Sequence, residues 1–118
     1  MGLFSVRGRL TGPTGRSEDI DLVVGTNATL LVVPAALAQR LELTPRRSQP
    51  VVTAQGRAVW PVAEVRLELE GQEVTTPCFI RPDGPVVLGT VALESLLLAV
   101  DPIAERLIPT EGFACVQA

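Results

Sequence analysis

The chain has 118 residues, 47% of them hydrophobic, and its mean hydropathy of +0.34 fits a sequence able to bury a core. This is the length of one domain, so we expect a single folded domain over residues 1–118 rather than a disordered segment. Its 13 acidic and 10 basic side chains give a net charge of −3. Because nucleic-acid binding needs a clustered basic surface, we expect no nucleic-acid partner.

Histidine and tyrosine are both absent from the chain. Ser-His-Asp and Cys-His nucleophile systems, histidine general bases and the usual His-bearing zinc sites all need an imidazole, so this chain alone cannot form them. Its two cysteines, Cys78 and Cys115, are too few for a disulfide scaffold or a four-ligand metal site, and we interpret them as reduced thiols. We therefore expect no metal and no cofactor.

The chain shows no targeting or membrane signal. Its first ten residues lack the apolar core of a signal peptide. The longest apolar runs, such as residues 96–100, fall far short of the ~18 residues that suggest a membrane span. We expect a cytoplasmic protein that does not bind membranes.

Proline and glycine recur at short intervals and leave room mainly for short strands and turns. Apolar, alternating or β-branched segments predict strands at residues 3–10, 20–24, 30–33, 51–53, 62–70, 74–80, 86–88 and 106–108. The strict alternation after residue 64 places Glu64, Glu68 and Glu70 on one wet strand face. Hairpin tips are expected at Gln55-Gly56 and around Gly71.

Two stretches are predicted to be helical. Residues 34–43 carry Leu37 and Leu41 at a spacing of four, and residues 90–98 begin at Thr90, which is expected to be the N-cap. A mostly β domain with two short helices follows, and a barrel or sandwich is the expected architecture.

Two separated segments share one design, an apolar strand that runs into a small polar turn. Residues 22–29 read Leu-Val-Val-Gly-Thr-Asn-Ala-Thr, and residues 86–90 read Val-Val-Leu-Gly-Thr. In this order they resemble the retropepsin-like aspartic proteases, whose active-site strand ends in Asp-Thr-Gly-Ala-Thr/Ser and whose later Leu-Gly opens a helix. Residues 101–109 also resemble the strand that closes many bacterial-type members, so the resemblance covers about residues 20–109.

The resemblance implies an all-β, closed β-barrel with the acid protease fold, one or two short helices, and a homodimer that binds peptides or protein segments under flap hairpins. It assigns three groups of site residues. These are an active-site loop of Gly25, Thr26, Asn27, Ala28 and Thr29, a flap with Thr53, Ala54, Gln55, Gly56, Arg57 and Trp60, and a second turn at Leu88 and Gly89. For Trp60 an ordinary core or barrel-rim position is the alternative. Residues 110–118 are candidates for pairing across the dimer.

One departure from the family pattern concerns the catalytic aspartate, whose position is held by Gly25, while the family's next glycine is Asn27. In the family each subunit supplies one aspartate, and the pair shares a proton while it activates water. Asp21 precedes Gly25 by four residues and lies roughly 13 Å away along an extended strand, so it cannot substitute without a different backbone path. Because asparagine tolerates positive φ, Asn27 is expected to make the tight turn.

The chain is therefore expected to bind extended peptides main chain to main chain and to cleave them very poorly or not at all. Two alternatives remain open. The chain could be an inactivated variant of an active aspartic endopeptidase, or it could be a dimeric scaffold that uses the barrel only for assembly.

Overall fold

The structure is a computed structural model that describes residues 3–115. These residues form nine β-strands and two short α-helices. In chain order they are β1 (Ser5–Thr11), β2 (Ser17–Val24), β3 (Leu31–Pro34), α1 (Ala35–Arg40), β4 (Arg47–Thr53), β5 (Gly56–Leu69), β6 (Gln72–Arg81), β7 (Val86–Leu88), α2 (Thr90–Ser95), β8 (Leu98–Asp101) and β9 (Arg106–Pro109).

Six of the described strands close into a barrel. Around the ring the order is β1, β2, β7, β3, β6 and β5, and β5 returns to β1 with Leu10 opposite Leu67. β4 lies outside the ring, paired only with β5, and β8 and β9 form a separate two-stranded sheet. The prediction of an all-β closed barrel with short helices is confirmed.

The barrel interior is filled by aliphatic side chains that alternate with solvent-facing residues. Leu10, Leu22, Leu31, Leu67 and Leu88, from five different strands, have no exposed surface. Each leucine buried in this way stabilises the fold by about 1.5–3 kcal/mol relative to an exposed one. Glu64, Glu68 and Glu70 are all exposed, so the predicted wet face of this strand is confirmed.

Both helices are three residues shorter at their C-termini than the predicted 34–43 and 90–98. Each ends before a residue in the left-handed conformation, Glu42 at φ 57° and Leu97 at φ 55°. Such a residue reverses the chain and stops the helix. Within residues 3–115 there is no helix whose length and apolar character would allow it to cross a membrane.

The predicted N-cap of the second helix is wrong by one residue. Gly89 is the N-cap, with extended backbone at φ −93° and ψ −179°, and makes no side-chain capping hydrogen bond. The Thr90 hydroxyl instead lies near the carbonyl oxygens of Ala28 and Thr29.

The hairpin of β4 and β5 is longer than the predicted strands. Pro50 and Pro61 lie inside strands and were expected to separate them. β4 is an edge strand, so Pro50 has a paired strand on one side only. Pro61 of β5 is paired with Ser48 of β4, and the pairing of β5 with β6 begins at the next residue, Val62. Neither proline therefore lies between two paired strands.

Two features near the C-terminus differ from the prediction. The strand β8 was not predicted. Residues 110–118 were expected to pair across the dimer, but residues 110–115 form no strand, and residues 116–118 lie outside the described residues.

β2 and β7 position the two segments singled out in the sequence. They pair in parallel, with Leu22 opposite Val86 and Val24 opposite Leu88. Parallel neighbours end at the same edge of a sheet. Gly25 and Gly89, which follow directly, therefore leave the barrel side by side.

Candidate functional site

The loop at residues 25–30 is joined to the end of β7 by backbone hydrogen bonds. The Gly25 N–H donates to the Leu88 carbonyl at 3.0 Å, and the Ala28 N–H donates back to the Gly25 carbonyl at 3.1 Å, which closes a tight turn. The Thr90 N–H donates to the Ala28 carbonyl at 2.9 Å. The loop and the start of α2 are thus one hydrogen-bonded unit.

Gly89 is required by the closeness of this contact. A Cβ atom at position 89 would lie 2.4 Å from the Leu30 carbonyl oxygen and 2.7 Å from that of Ala28. The Thr90 hydroxyl adds a weaker link, since it lies 3.3 Å from the carbonyl oxygens of both Ala28 and Thr29. Leu88 and Gly89 therefore hold the loop from behind, and neither lines the open space in front of it.

The turn around Gly25 differs from expectation in one respect. Asn27 lies in this tight turn as predicted, but without a positive φ, because the described non-glycine residues with positive φ are Glu42, Glu70, Leu97 and Glu105. The turn instead closes through the Ala28 N–H bond, which needs no left-handed residue. The side chains of Thr26, Asn27 and Thr29 are exposed.

The β4–β5 hairpin has its tip at Ala54 and Gln55. Thr53 lies opposite Gly56, which has φ +112° and so favours glycine. The Thr53 hydroxyl donates to the Gly56 carbonyl at 2.8 Å and accepts from the Gln55 N–H at 3.1 Å. These two bonds order a tip that is otherwise exposed.

A cleft of 1680 Å³ lies between the β4–β5 hairpin and the 25–30 loop. Typical small-molecule sites measure about 300–1,000 Å³, so this space is large enough for a chain segment. Of the residues predicted for the site, nine line it, namely Gly25, Thr26, Asn27, Ala28, Thr29, Thr53, Ala54, Gln55 and Trp60. Gly56, Arg57, Leu88 and Gly89 do not line it.

Strand register explains which hairpin residues face the cleft. Gln49 pairs with Trp60, and residues two apart share a face, so Gln49, Val51 and Thr53 belong to the cleft side. Arg57 pairs with the exposed Val52 and so lies on the other face of the hairpin, and Arg57 does not line the cleft, although Val52 reaches its edge. Trp60 is half-buried and meets the ring of Phe79 edge to face at 6.1 Å, so it is a cleft-wall residue.

Other cleft residues were missed from the sequence. They include Phe4, Arg47, Gln49, Phe79, Arg81, Val87, Val100 and Pro102. Period two along β4 could have indicated Arg47 and Gln49, once the strand was known to begin at Arg47. Phe79, Arg81 and Val100 reach the cleft only through non-local pairing.

Among the described residues that line the cleft, the charged ones are Arg47 and Arg81, and none is Asp or Glu. The carboxylates nearest in sequence to Gly25 lie along β2 and are exposed. Asp21 meets the Arg7 guanidinium at 3.1 Å, and Asp19 meets that of Arg9 at 2.7 Å. The Arg9 hydrogen bond holds the pKa of Asp19 below its usual range.

No group of three or more His, Cys, Asp or Glu side chains suited to a metal ion occurs within residues 3–115. Both cysteines are free, Cys78 buried in the barrel and Cys115 exposed. Burial raises the pKa of the Cys78 thiol to about 12, so this thiol stays protonated and unreactive at neutral pH.

No family model matches the chain, and no curated protein matches it in sequence. Solved structures do resemble it. The EIAV protease, complexed with the inhibitor HBY-793, has a TM-score of 0.65 at 15% identity, over 80% of this chain and 88% of that one. The solution structure of the simian foamy virus (mac) protease has a TM-score of 0.59 at 16% identity, over 79% and 94%. The barrel is therefore a retropepsin-like fold, shared with retroviral proteases.

Proposed function

We propose that this chain is a retropepsin-like domain that forms a homodimer and binds extended peptides in the cleft without hydrolysing them. The observation that carries the proposal is the composition of the cleft. Its lining includes the 25–30 loop and the hairpin, while the family's aspartate position is Gly25 and no described lining residue is acidic.

Peptide binding is supported by the edge of β4. This strand pairs on one side with β5, so its other side offers N–H and C=O groups to an added strand. Gln49, Val51 and Thr53 project into the cleft from the same strand and supply side-chain contacts. In the proposed function the hairpin acts as the flap over the bound segment.

The absence of hydrolysis is supported by the chemistry left at position 25. Aspartic-type hydrolysis needs one carboxylate to activate water and a second, protonated one to polarise the carbonyl. Glycine offers neither group, and its N–H already donates to Leu88. Asp19 and Asp21 are exposed and paired with arginines on β1, so neither replaces the missing group.

Homodimer formation is supported by exposed apolar side chains near the chain ends. Leu3, Ile103 and Phe113 are 74%, 94% and 91% exposed, and Leu97 is 46% exposed. Burial of such side chains against a second copy of the chain would remove their apolar surface from water. Since no carboxylates meet at the two-fold axis, we expect a dimer dissociation constant that is constant between about pH 4 and 7. Sedimentation equilibrium of the 12.5 kDa chain measures it.

The test combines binding and cleavage on a diverse peptide library from acidic to neutral pH. The full chain is compared with the double variant Gly25→Asp/Val87→Ala, in which the second change makes room for the new side chain. Binding is followed by hydrogen exchange of the hairpin amides and cleavage by mass spectrometry. We expect the unaltered chain to protect its hairpin amides and leave every peptide intact, and the double variant to cleave.

Cleavage by the unaltered chain, abolished by an inhibitor that mimics the tetrahedral intermediate, would show the non-hydrolytic proposal to be wrong. Failure of every peptide to protect the hairpin, in a chain that still dimerises, would instead favour the scaffold alternative.

A further inference from the structure

The arginines of this chain divide into two groups by location. Six of the ten form ion pairs with acidic side chains, and these are Arg7, Arg9, Arg16, Arg40, Arg66 and Arg106. Arg46, Arg47, Arg57 and Arg81 have no such partner within residues 3–115. Three of these four lie on or beside the β4–β5 hairpin, and the fourth ends β6. The unpaired arginines thus lie on or beside the strands that border the cleft.

Two of the four, Arg47 and Arg81, line the cleft itself. Arg47 is opposite Val62, and Val62 is opposite Phe79 on the next strand. Arg81 follows Phe79 by two residues and therefore shares its face of the sheet. Arg57, opposite Val52, lies on the other face.

Both cleft arginines are held by uncharged neighbours. The Arg47 guanidinium donates a hydrogen bond to the Gln49 side-chain oxygen. The Arg81 guanidinium lies over Gly84, where a Cβ atom would come within 2.7 Å of its Nη2 atom. Because Gly84 is at φ +113°, the turn that it makes leaves room for this guanidinium.

Arg81 is half-buried, whereas Arg47 is exposed. A half-buried guanidinium without an anionic partner, as at Arg81, is incompletely compensated for its lost hydration. Carboxylates match its planar set of donors and bind it in a bidentate manner. The net charge of the whole chain is −3, so acidic ligands are not attracted by overall charge. Attraction would come only from the cleft, whose walls concentrate the local positive potential.

We infer that the cleft selects peptides with acidic side chains, and that Arg47 and Arg81 each bind a carboxylate of the extended ligand. This inference rests on the proposed function, since it names the class of peptide that the same cleft takes. It also accounts for the charge of the cleft, because the charged residues among the described lining residues are both arginines.

The experiment uses two matched libraries of ten-residue peptides built from Val, Thr, Ala and either Glu or its isostere Gln. Both are captured at equilibrium on the immobilised full chain, and the best Glu peptide and its Gln counterpart are then titrated in solution. Trp60 is the single tryptophan and lies in the cleft wall, so its fluorescence reports occupancy of the cleft. We expect the Glu peptide to bind at least about tenfold more tightly, with the ratio falling as salt is raised.

Four variants identify the residues responsible for the selection. Arg47→Gln and Arg81→Gln each keep a polar side chain and are expected to bring the Glu-to-Gln affinity ratio severalfold closer to one. Arg57→Gln is the matched control, because it removes an equally unpaired charge from the outer face of the same hairpin, and the ratio should stay unchanged. Arg81→Lys keeps the charge but loses the bidentate geometry, so an intermediate ratio is expected.

Equal affinity of Glu and Gln peptides, with Trp60 fluorescence changing for both, would overturn the acidic selection and leave peptide binding standing. Loss of the ratio in Arg57→Gln to the same extent as in Arg47→Gln would also overturn it, because the effect would then be one of general charge. If neither peptide changes the fluorescence or is captured, the proposed function fails together with this inference.

Discussion

The Cγ1 methyl group of Val87 lies 2.7 Å from the position that a Cβ atom on Gly25 would take. The two residues face each other across the parallel pair of β2 and β7, where Val87 pairs with Val23. Position 25 therefore has neither a carboxylate nor free space for one in this arrangement. A catalytic aspartate can return only if the Val87 side chain moves.

This contact predicts coupling between the two positions. Gly25→Asp alone is expected to lower the free energy of unfolding by about 1–3 kcal/mol, because it overpacks the loop against β7. Val87→Ala alone should cost about 1–2 kcal/mol through lost packing. In the double variant the overlap is gone, so the total cost should be smaller than the sum by about 1 kcal/mol or more.

Urea unfolding of the four proteins measures this cycle. Strict additivity of the two single costs would mean that the Val87 side chain moves aside without penalty.

Gly89 offers a second prediction, which concerns the support behind the loop. Gly89→Ala places a methyl group against the carbonyl oxygens of Leu30 and Ala28, which are backbone atoms and cannot rotate away. We expect a loss of about 2–3 kcal/mol in unfolding free energy and weaker peptide binding. Gly112→Ala is the control, because its nearest neighbour would be a Leu97 methyl at 3.4 Å, an ordinary contact.

The Gly89 prediction is checked by thermal and urea unfolding of both variants. A Gly89→Ala protein as stable as the Gly112→Ala protein would contradict the close approach of the loop to α2.

The two thiols should differ sharply in reactivity. Cys115 is exposed and should react with Ellman's reagent within seconds to minutes at pH 8, whereas Cys78 is fully buried and should react only when the barrel opens. One equivalent of thiol per chain is therefore expected under native conditions and two in denaturant. Two fast equivalents in the native protein would show that the barrel is open at Cys78.

Alkaline pH provides a fourth prediction. Burial raises the pKa of Cys78 to about 12 from its ordinary 9.0, so the folded state keeps a proton that the unfolded state gives up. The free energy of unfolding is therefore unaffected by this thiol below pH 9. It falls as pH rises from 9 towards 12, by up to about 1.4 kcal/mol per pH unit. The chain contains no lysine or tyrosine, so these groups do not titrate in the same window.

Unfolding free energies at pH 8, 9, 10 and 10.5 measure the slope. Cys78→Ala should flatten it, whatever that variant loses in packing at neutral pH, while the exposed Cys115→Ala should leave it unchanged. A slope that persists in Cys78→Ala would assign the alkaline sensitivity to another group.

Local pattern predicted much of the barrel. The alternation of Val65, Leu67 and Leu69 with Glu64 and Glu68 has one physical solution, a strand with one buried face, and this part of β5 was placed correctly, although the strand begins six residues earlier than predicted, at Gly56. The sequence pattern was less informative where a buried strand and a buried helix give the same run of apolar residues. Residues 96–100 form a continuous apolar run, and β8 was missed because such a run has no period that separates the two.

The sequence by itself determined the chemistry that is absent from position 25, since no fold can give Gly25 a carboxylate. It also indicated, through resemblance, that the segments around Gly25 and Gly89 belong together. Only the tertiary structure decided the charge of the cleft. Arg47 and Arg81 are 34 residues apart in the chain, and they share a cleft because β4, β5 and β6 are neighbours. Which arginines find carboxylate partners depends on such non-local pairing, and a linear pattern does not contain it.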